Sequence, residues 1–124
     1  MNLLLDTHIV LWWLADDDRL AHSHRELIGR DSQVYVSAVS AWEMSIKAAL
    51  GKLSMPVGLT EALTAQGFDE LPITAEDGLA AGSLPRHHDD PFDRMLIAQA
   101  LRRDLLLVTA DRRFEAYDVR VAPA

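Results

Sequence analysis

Apolar residues along the chain gather in two kinds of run. Short continuous ones, at Asn2–Leu5, Val34–Val36 and Leu105–Thr109, have the length and the β-branched or aliphatic make-up of buried strands. Weaker runs at Asp69–Leu71 and Val119–Val121 predict two more strands. Between them the apolar spacing turns helical, over Thr7–Ala15, Ala21–Arg30, Val39–Leu50, Leu59–Gln66, Ala75–Ser83 and Asp93–Arg103. Gly51 is placed to close the third of these helices. In the last, Asp90 stands as N-cap and Pro91 as first helical residue. Strands that are apolar throughout, alternating with helices, predict an α/β fold with a central parallel sheet covered on both faces. Gly and Pro are spread evenly, which suits short connections inside a single domain over 1–124.

Several acids interrupt this pattern. Asp6 follows the first strand directly, and Asp111 follows the Leu105–Val108 run by two residues. Ligands of open α/β sheets bind beyond the carboxyl ends of the strands, where both would lie. Taken alone, each is more simply a helix N-cap. Glu43 falls on or beside the apolar stripe Val39, Trp42, Ile46 and Leu50. It is either a buried functional carboxylate or a stripe-edge side chain paired with Lys47 one turn on. Asp93 heads the stripe Leu96, Ile97, Ala100 and Leu101. With Asp90 already capping, Asp93 is free for another role, or simply answers the helix dipole.

Two strand-end and two helix-stripe carboxylates can converge on one crevice, with Asp90 as a secondary member. Such a group cannot stay ionised unaided, since one like-charged pair ~4 Å apart costs about 4 kcal/mol at an effective dielectric of ~20. Raised pKa values or a divalent cation must answer the repulsion. The chain has no cysteine, which excludes disulfides, thiolate nucleophiles and Cys-type zinc sites. Oxygen ligands alone point to Mg²⁺ or Mn²⁺, and that pairing suggests phosphoryl chemistry. The formal net charge of −7 first argues against a nucleic-acid partner. The objection weakens if four of the nineteen acids are metal ligands. The apolar start fails as a signal peptide, because no basic residue precedes it and Asp6 and His8 interrupt it. No stretch approaches the ~18–20 apolar residues of a membrane span, so a cytoplasmic protein is expected.

Four segments, LLLDTHIVLWWL, VSAVSAWEMSIKAALGKL, HHDDPFDRMLIAQAL and LLLVTADRRFEAYDV, resemble in order the PIN-domain ribonucleases, specifically VapC-like toxins of bacterial type II toxin–antitoxin pairs. The resemblance implies a PIN-like three-layer fold and Mg²⁺- or Mn²⁺-dependent endoribonuclease cleavage. It assigns the acidic constellation to Asp6, Glu43, Asp93 and Asp111, and matches Thr109 to a small hydroxyl position near the site. It further implies RNA as substrate, a cognate antitoxin as inhibitor, and a homodimer.

The remaining residues carry weaker signals. Thr7, beside Asp6, is a supporting residue, and Arg94, Arg112 and Arg113 adjoin proposed ligands and are candidates for phosphate contact. Arg102 and Arg103 read as a solvated face, and His87-His88-Asp89 as a polar loop or an RNA contact. An HD-type metal phosphohydrolase would be all-helical, against the strands here. Trp12, Trp13 and Trp42 are expected in the core or an interface. Leu11, Trp12 and Leu14–Ala15 offer a patch for a second copy or the antitoxin. Two other classes share the acidic signal. A phospho-accepting receiver module needs a late lysine, whereas the only lysines are Lys47 and Lys52. A non-catalytic RNA or protein adaptor on the same fold would not need the complete acidic set.

Overall fold

In the computed structural model, which describes residues 1–30 and 33–124, the apolar runs become a four-stranded sheet. Its strands are β1 (Asn2–Leu5), β2 (Gln33–Ser37), β3 (Asp69–Leu71) and β4 (Leu106–Val108). Every pairing is parallel and the order is β3-β2-β1-β4. β1 is the centre, with Leu4 level with both Tyr35 and Leu107. Alternation sends Leu3 and Leu5 to one face and Leu4 to the other, and all three are fully buried. A strand buried on both faces has no place for polar side chains, which is why it reads as an unbroken Leu run.

Among the described residues six helices cover the sheet: α1 (Thr7–Leu14), α2 (His22–Gly29), α3 (Ala38–Ala49), α4 (Leu59–Ala65), α5 (Ala75–Gly82) and α6 (Pro91–Arg103). Ile9, Val10, Ile28, Leu59 and Met44 pack with Leu3, Leu5, Val34 and Val36 on one side. Leu96, Ile97, Ala100, Phe114 and Tyr117 pack with Leu4 and Leu107 on the other. The result is the three-layer α/β arrangement expected from the sequence. An HD-type all-helical fold is thereby set aside.

Two elements differ from expectation. Val119–Val121 is not a strand; only Val121 pairs, as a single bridge to Leu107. Hydrogen bonds from Leu107 N–H to Arg120 O and from Ala122 N–H to Leu107 O, both 2.9 Å, hold that edge. The segment Arg112–Ala116, unassigned in the sequence reading, is a short 3₁₀ turn capped by Asp111. Its length gives too little periodicity to detect, and its Phe114 is buried by the tertiary fold.

The apolar stripe of α3 also lies elsewhere. The buried residues are Val39, Ser40, Glu43 and Met44, while Trp42 and Leu50 are 58% and 63% exposed. Glu43 is therefore at the centre of the inward face, not at its edge. The small Ser40 lets α3 stand close to Thr7 of α1, and Trp42 lies instead edge-on to Phe92 at 5.3 Å. In α6 the middle is buried nearly all round, from Leu96 to Ala100, and Leu101 of the expected stripe is half exposed.

The chain runs β1, β2, β3 outward in one direction and then returns to place β4 on the other side of β1. Strand order therefore reverses between β1 and β4, which opens a crevice beyond their carboxyl ends.

Candidate active site

Asp6 and Asp111 stand in that crevice because each follows a strand on either side of the reversal. Asp6 caps α1, with Oδ1 accepting from Thr7 N–H at 2.8 Å. Asp111 caps the 3₁₀ turn, accepting from Arg113 N–H at 2.9 Å. Asp90 caps α6 through two backbone N–H groups, Phe92 at 2.9 Å and Asp93 at 3.1 Å. The capping reading thus holds for all three, and it coexists with their placement. Asp6, Glu43, Asp90, Asp93 and Asp111 together line one cavity of about 290 Å³, joined by Lys47 and Arg113.

The two threonines fix the carboxylates. Thr7 Oγ1 donates to Glu43 Oε1 at 2.6 Å, and Thr109 Oγ1 donates to Asp6 Oδ2 at 2.7 Å. Thr109 Oγ1 also accepts from Asp111 N–H at 3.0 Å, so one hydroxyl ties both strand-end acids. Lys47 reaches Glu43 Oε2 at 2.5 Å, the pairing that the i,i+4 spacing allowed. Arg113 forks onto Asp111 and lies 3.6 Å from Asp93. Both ends of Glu43, which is 3% exposed, are thereby engaged.

Electrostatics mark the site as a place of unmet negative charge. Burial, followed by the charges of Asp6, Asp90, Asp111 and Glu43, pushes the Asp93 carboxyl up to about 8. Burial also raises Asp6, against the lowering effect of Thr109 and Thr7. Asp111 goes the other way, held below its ordinary value by the Arg113 guanidinium. Among the described residues no three carboxylate or imidazole groups stand close enough to hold an ion between them. Instead Lys47 and Arg113 supply the local countercharge. The donor set nevertheless fits a hard cation, being all oxygen, with burial and then mutual repulsion keeping a proton on Asp93 near neutral pH.

Other residues fall differently from the sequence reading. Arg94 is buried and turned away from the cavity. Its guanidinium donates to the carbonyls of Ala81 and Leu84 at 3.0 Å and of Pro85 at 2.9 Å. It is a brace for the end of α5 and the loop after it, not a phosphate contact. Arg112 is exposed on the outside of the 3₁₀ turn, 3.9 Å from Glu115, and it is Arg113 that enters the cavity. Arg102 and Arg103 are not a solvated face, since both pair with the fully buried Asp77 of α5. Trp13 packs on Phe68 and donates to Gln66, while Trp12 is half-buried and lines the cavity.

The polar loop before α6 supplies what the sequence missed. The His88 side chain is 9% exposed, with Nε2 3.2 Å from Asp93 Oδ2 and Nδ1 2.9 Å from the Tyr117 hydroxyl. The signal available was its place five residues before Asp93, which alone does not set direction.

A family model described as the PIN domain matches residues 3–120. The chain belongs to the PIN domain family. This PIN domain is 29% identical over 119 residues to Ribonuclease VapC22 of Mycobacterium tuberculosis, across 94% of this chain and 92% of that one. Its fold is shared with solved structures of low identity. One is VapBC2 from Rickettsia felis, bound to a fragment of promoter DNA, with a TM-score of 0.70 and 15% identity over 98% of both chains. Another is DNA-bound VapBC from Salmonella typhimurium, with a TM-score of 0.70 and 17% identity over 98% of this chain and 97% of that one. Among the described residues no helix is long and apolar enough to cross a membrane.

Proposed function

We propose that this PIN domain is a divalent-cation-dependent endoribonuclease, and that it serves as the toxin of a type II toxin–antitoxin pair. The observation that carries the reading is the cavity at the strand reversal, where burial and the neighbouring carboxylates raise Asp93, in a chain 29% identical to a named ribonuclease. The solved VapBC structures, which share the fold, favour a cognate antitoxin as partner, and a homodimer belongs to the same proposal. So does a cytoplasmic location. A receiver module fits poorly, since Lys47 is spent on Glu43.

Asp6, Glu43, Asp93 and Asp111 would hold Mg²⁺ or Mn²⁺, with Asp90 as a secondary ligand. Such an ion, when bound, supplies positive charge to phosphate oxygens and favours ionisation of an attacking water. The chain's own residues do the rest. Thr7 and Thr109 orient Glu43 and Asp6 by hydroxyl donation. Lys47 and Arg113, the cations facing the cavity, compete with the incoming ion for the same carboxylates and are placed to meet RNA phosphates. Trp12 and His8 on the cavity wall present rings beside that path.

The test is cleavage of structured RNA by the purified protein with Mn²⁺ or Mg²⁺ and with EDTA. Asp6→Asn and Asp93→Asn are each expected to lower the rate at least about a hundredfold, with the thermal transition retained. Persistent cleavage by both variants, or by wild type in EDTA, overturns the reading. A non-catalytic adaptor predicts no cleavage and no stabilisation by Mn²⁺.

A further inference from the structure

The loop before α6, expected from the sequence to face solvent or RNA, instead sends His88 inward, and its hydrogen bonds favour one ring nitrogen as the site of the proton. A tyrosine hydroxyl has one hydrogen to give and two lone pairs to receive. Tyr117, itself buried, receives the His88 backbone N–H at 3.3 Å and Arg94 Nη1 at 3.4 Å. The backbone N–H takes one lone pair, and the Nη1 hydrogen not given to Pro85 O is shared between the other and His88 O, also at 3.4 Å. The hydroxyl hydrogen goes to the nearer acceptor, His88 Nδ1 at 2.9 Å, rather than to His88 O at 3.4 Å. With Nδ1 accepting, the ring proton of neutral His88 sits on Nε2, 3.2 Å from Asp93 Oδ2.

We infer that Tyr117 and His88 form a positioning relay for this PIN domain's site: Tyr117 fixes the His88 tautomer, and His88 Nε2–H holds the Asp93 carboxylate in the orientation its chemistry requires. The inference rests on the proposed cation-dependent reading. Arg94 contributes from behind, since it grips Tyr117 Oη and the carbonyls of Pro85 and His88 that set the loop's path. Packing secures the arrangement. The His88 ring lies 5.5 Å from Tyr117 and 6.3 Å from Phe114, both in the core. Partners that orient a carboxylate in this way typically change metal affinity 10–100-fold when removed. His88 touches neither cavity nor reacting atoms, so its role is positional.

The test uses the full chain and Mn²⁺ alone, with free Mn²⁺ followed by electron paramagnetic resonance. His88→Phe keeps a ring and removes both nitrogens, and it is expected to weaken Mn²⁺ binding by about tenfold or more. His88→Gln places an amide N–H where Nε2 stood and is expected to recover most of that loss. In two-bond ¹H–¹⁵N spectra, wild-type His88 is expected to carry its proton on Nε2, and Tyr117→Phe to give a mixture of tautomers. Wild-type Mn²⁺ affinity in His88→Phe, no advantage of Gln over Phe, or a wild-type proton on Nδ1 each overturns the inference. If wild type binds no Mn²⁺, the cation reading itself fails. The spectra still decide the relay: a His88 Nε2–H resonance that shifts in Asp93→Asn supports it, and one that stays unmoved overturns it.

Discussion

A carboxylate buried beside other carboxylates is a load on the fold until something positive binds it, and Asp93 carries that load here. Its folded pKa of about 8 lies above the unfolded value of about 3.9. Between those two values the folded state holds more protons than the unfolded chain, so stability falls as pH rises across the window. Asp93→Asn removes this slope. In EDTA at pH 8.5 the variant is expected to melt about 3 °C or more above wild type, and at pH 4 to show no such advantage. Differential scanning fluorimetry across that range measures it, and equal pH slopes for the two proteins would contradict the raised pKa. The same carboxylate was legible in the sequence as an acid at the head of an apolar stripe. Its burial, and the company of Asp6, Asp90 and Asp111, were not.

The helix pair α5 and α6 is held by a polar device in place of apolar packing alone. Asp77 closes a capping box with Thr74 and accepts from Gln99, Arg102 and Arg103. These partners hold its carboxyl well below the usual range despite burial. The folded pKa is depressed, so this contribution is present above about pH 4 and is lost as pH falls toward the folded value. Asp77→Ala is expected to cost about 2–3 kcal/mol at pH 7, because both guanidiniums keep some exposure and can recover water. The cost should shrink below pH 3, as urea titration at the two pH values would show. Arg94 is the second brace between these helices. Arg94→Lys cannot reproduce a fork onto several carbonyls, so it is expected to lose about 2 kcal/mol or more and to slow RNA cleavage with the 85–88 loop displaced. Unchanged stability of Arg94→Lys would return the residue to the phosphate-contact reading.

Over the whole molecule, a formal charge of −7 works against RNA until the cavity is neutralised. The metal-free chain is expected to bind a non-cleavable RNA weakly at 0.15 M salt. Adding Mn²⁺ is expected to raise affinity by about tenfold or more, read by fluorescence anisotropy with EDTA as control. An affinity indifferent to Mn²⁺ would mean that RNA is held by the arginines outside the cavity, such as Arg112. The acidity that first argued against a nucleic-acid partner is concentrated, in part, where such a partner would meet it.

The sequence by itself determined the four strands of the sheet, the six α-helices and their alternation, though not the lone bridge at Val121 or the 3₁₀ turn. Unbroken apolar runs and helical spacing are local properties, and a sheet buried on both faces leaves that trace. It also determined the identity of the acids, since a carboxylate beside an apolar run stands out wherever the chain goes. Only the tertiary structure decided their company and their partners. The rotation of α3 that centres Glu43, and the packing of Asp77 against two arginines, depend on neighbours many residues away. So does the choice of Arg113 over Arg112 for the cavity, and the inward turn of His88 onto Tyr117. Each is a side-chain direction fixed by long-range packing, and periodicity along one element says which residues are apolar, not which neighbour they will meet.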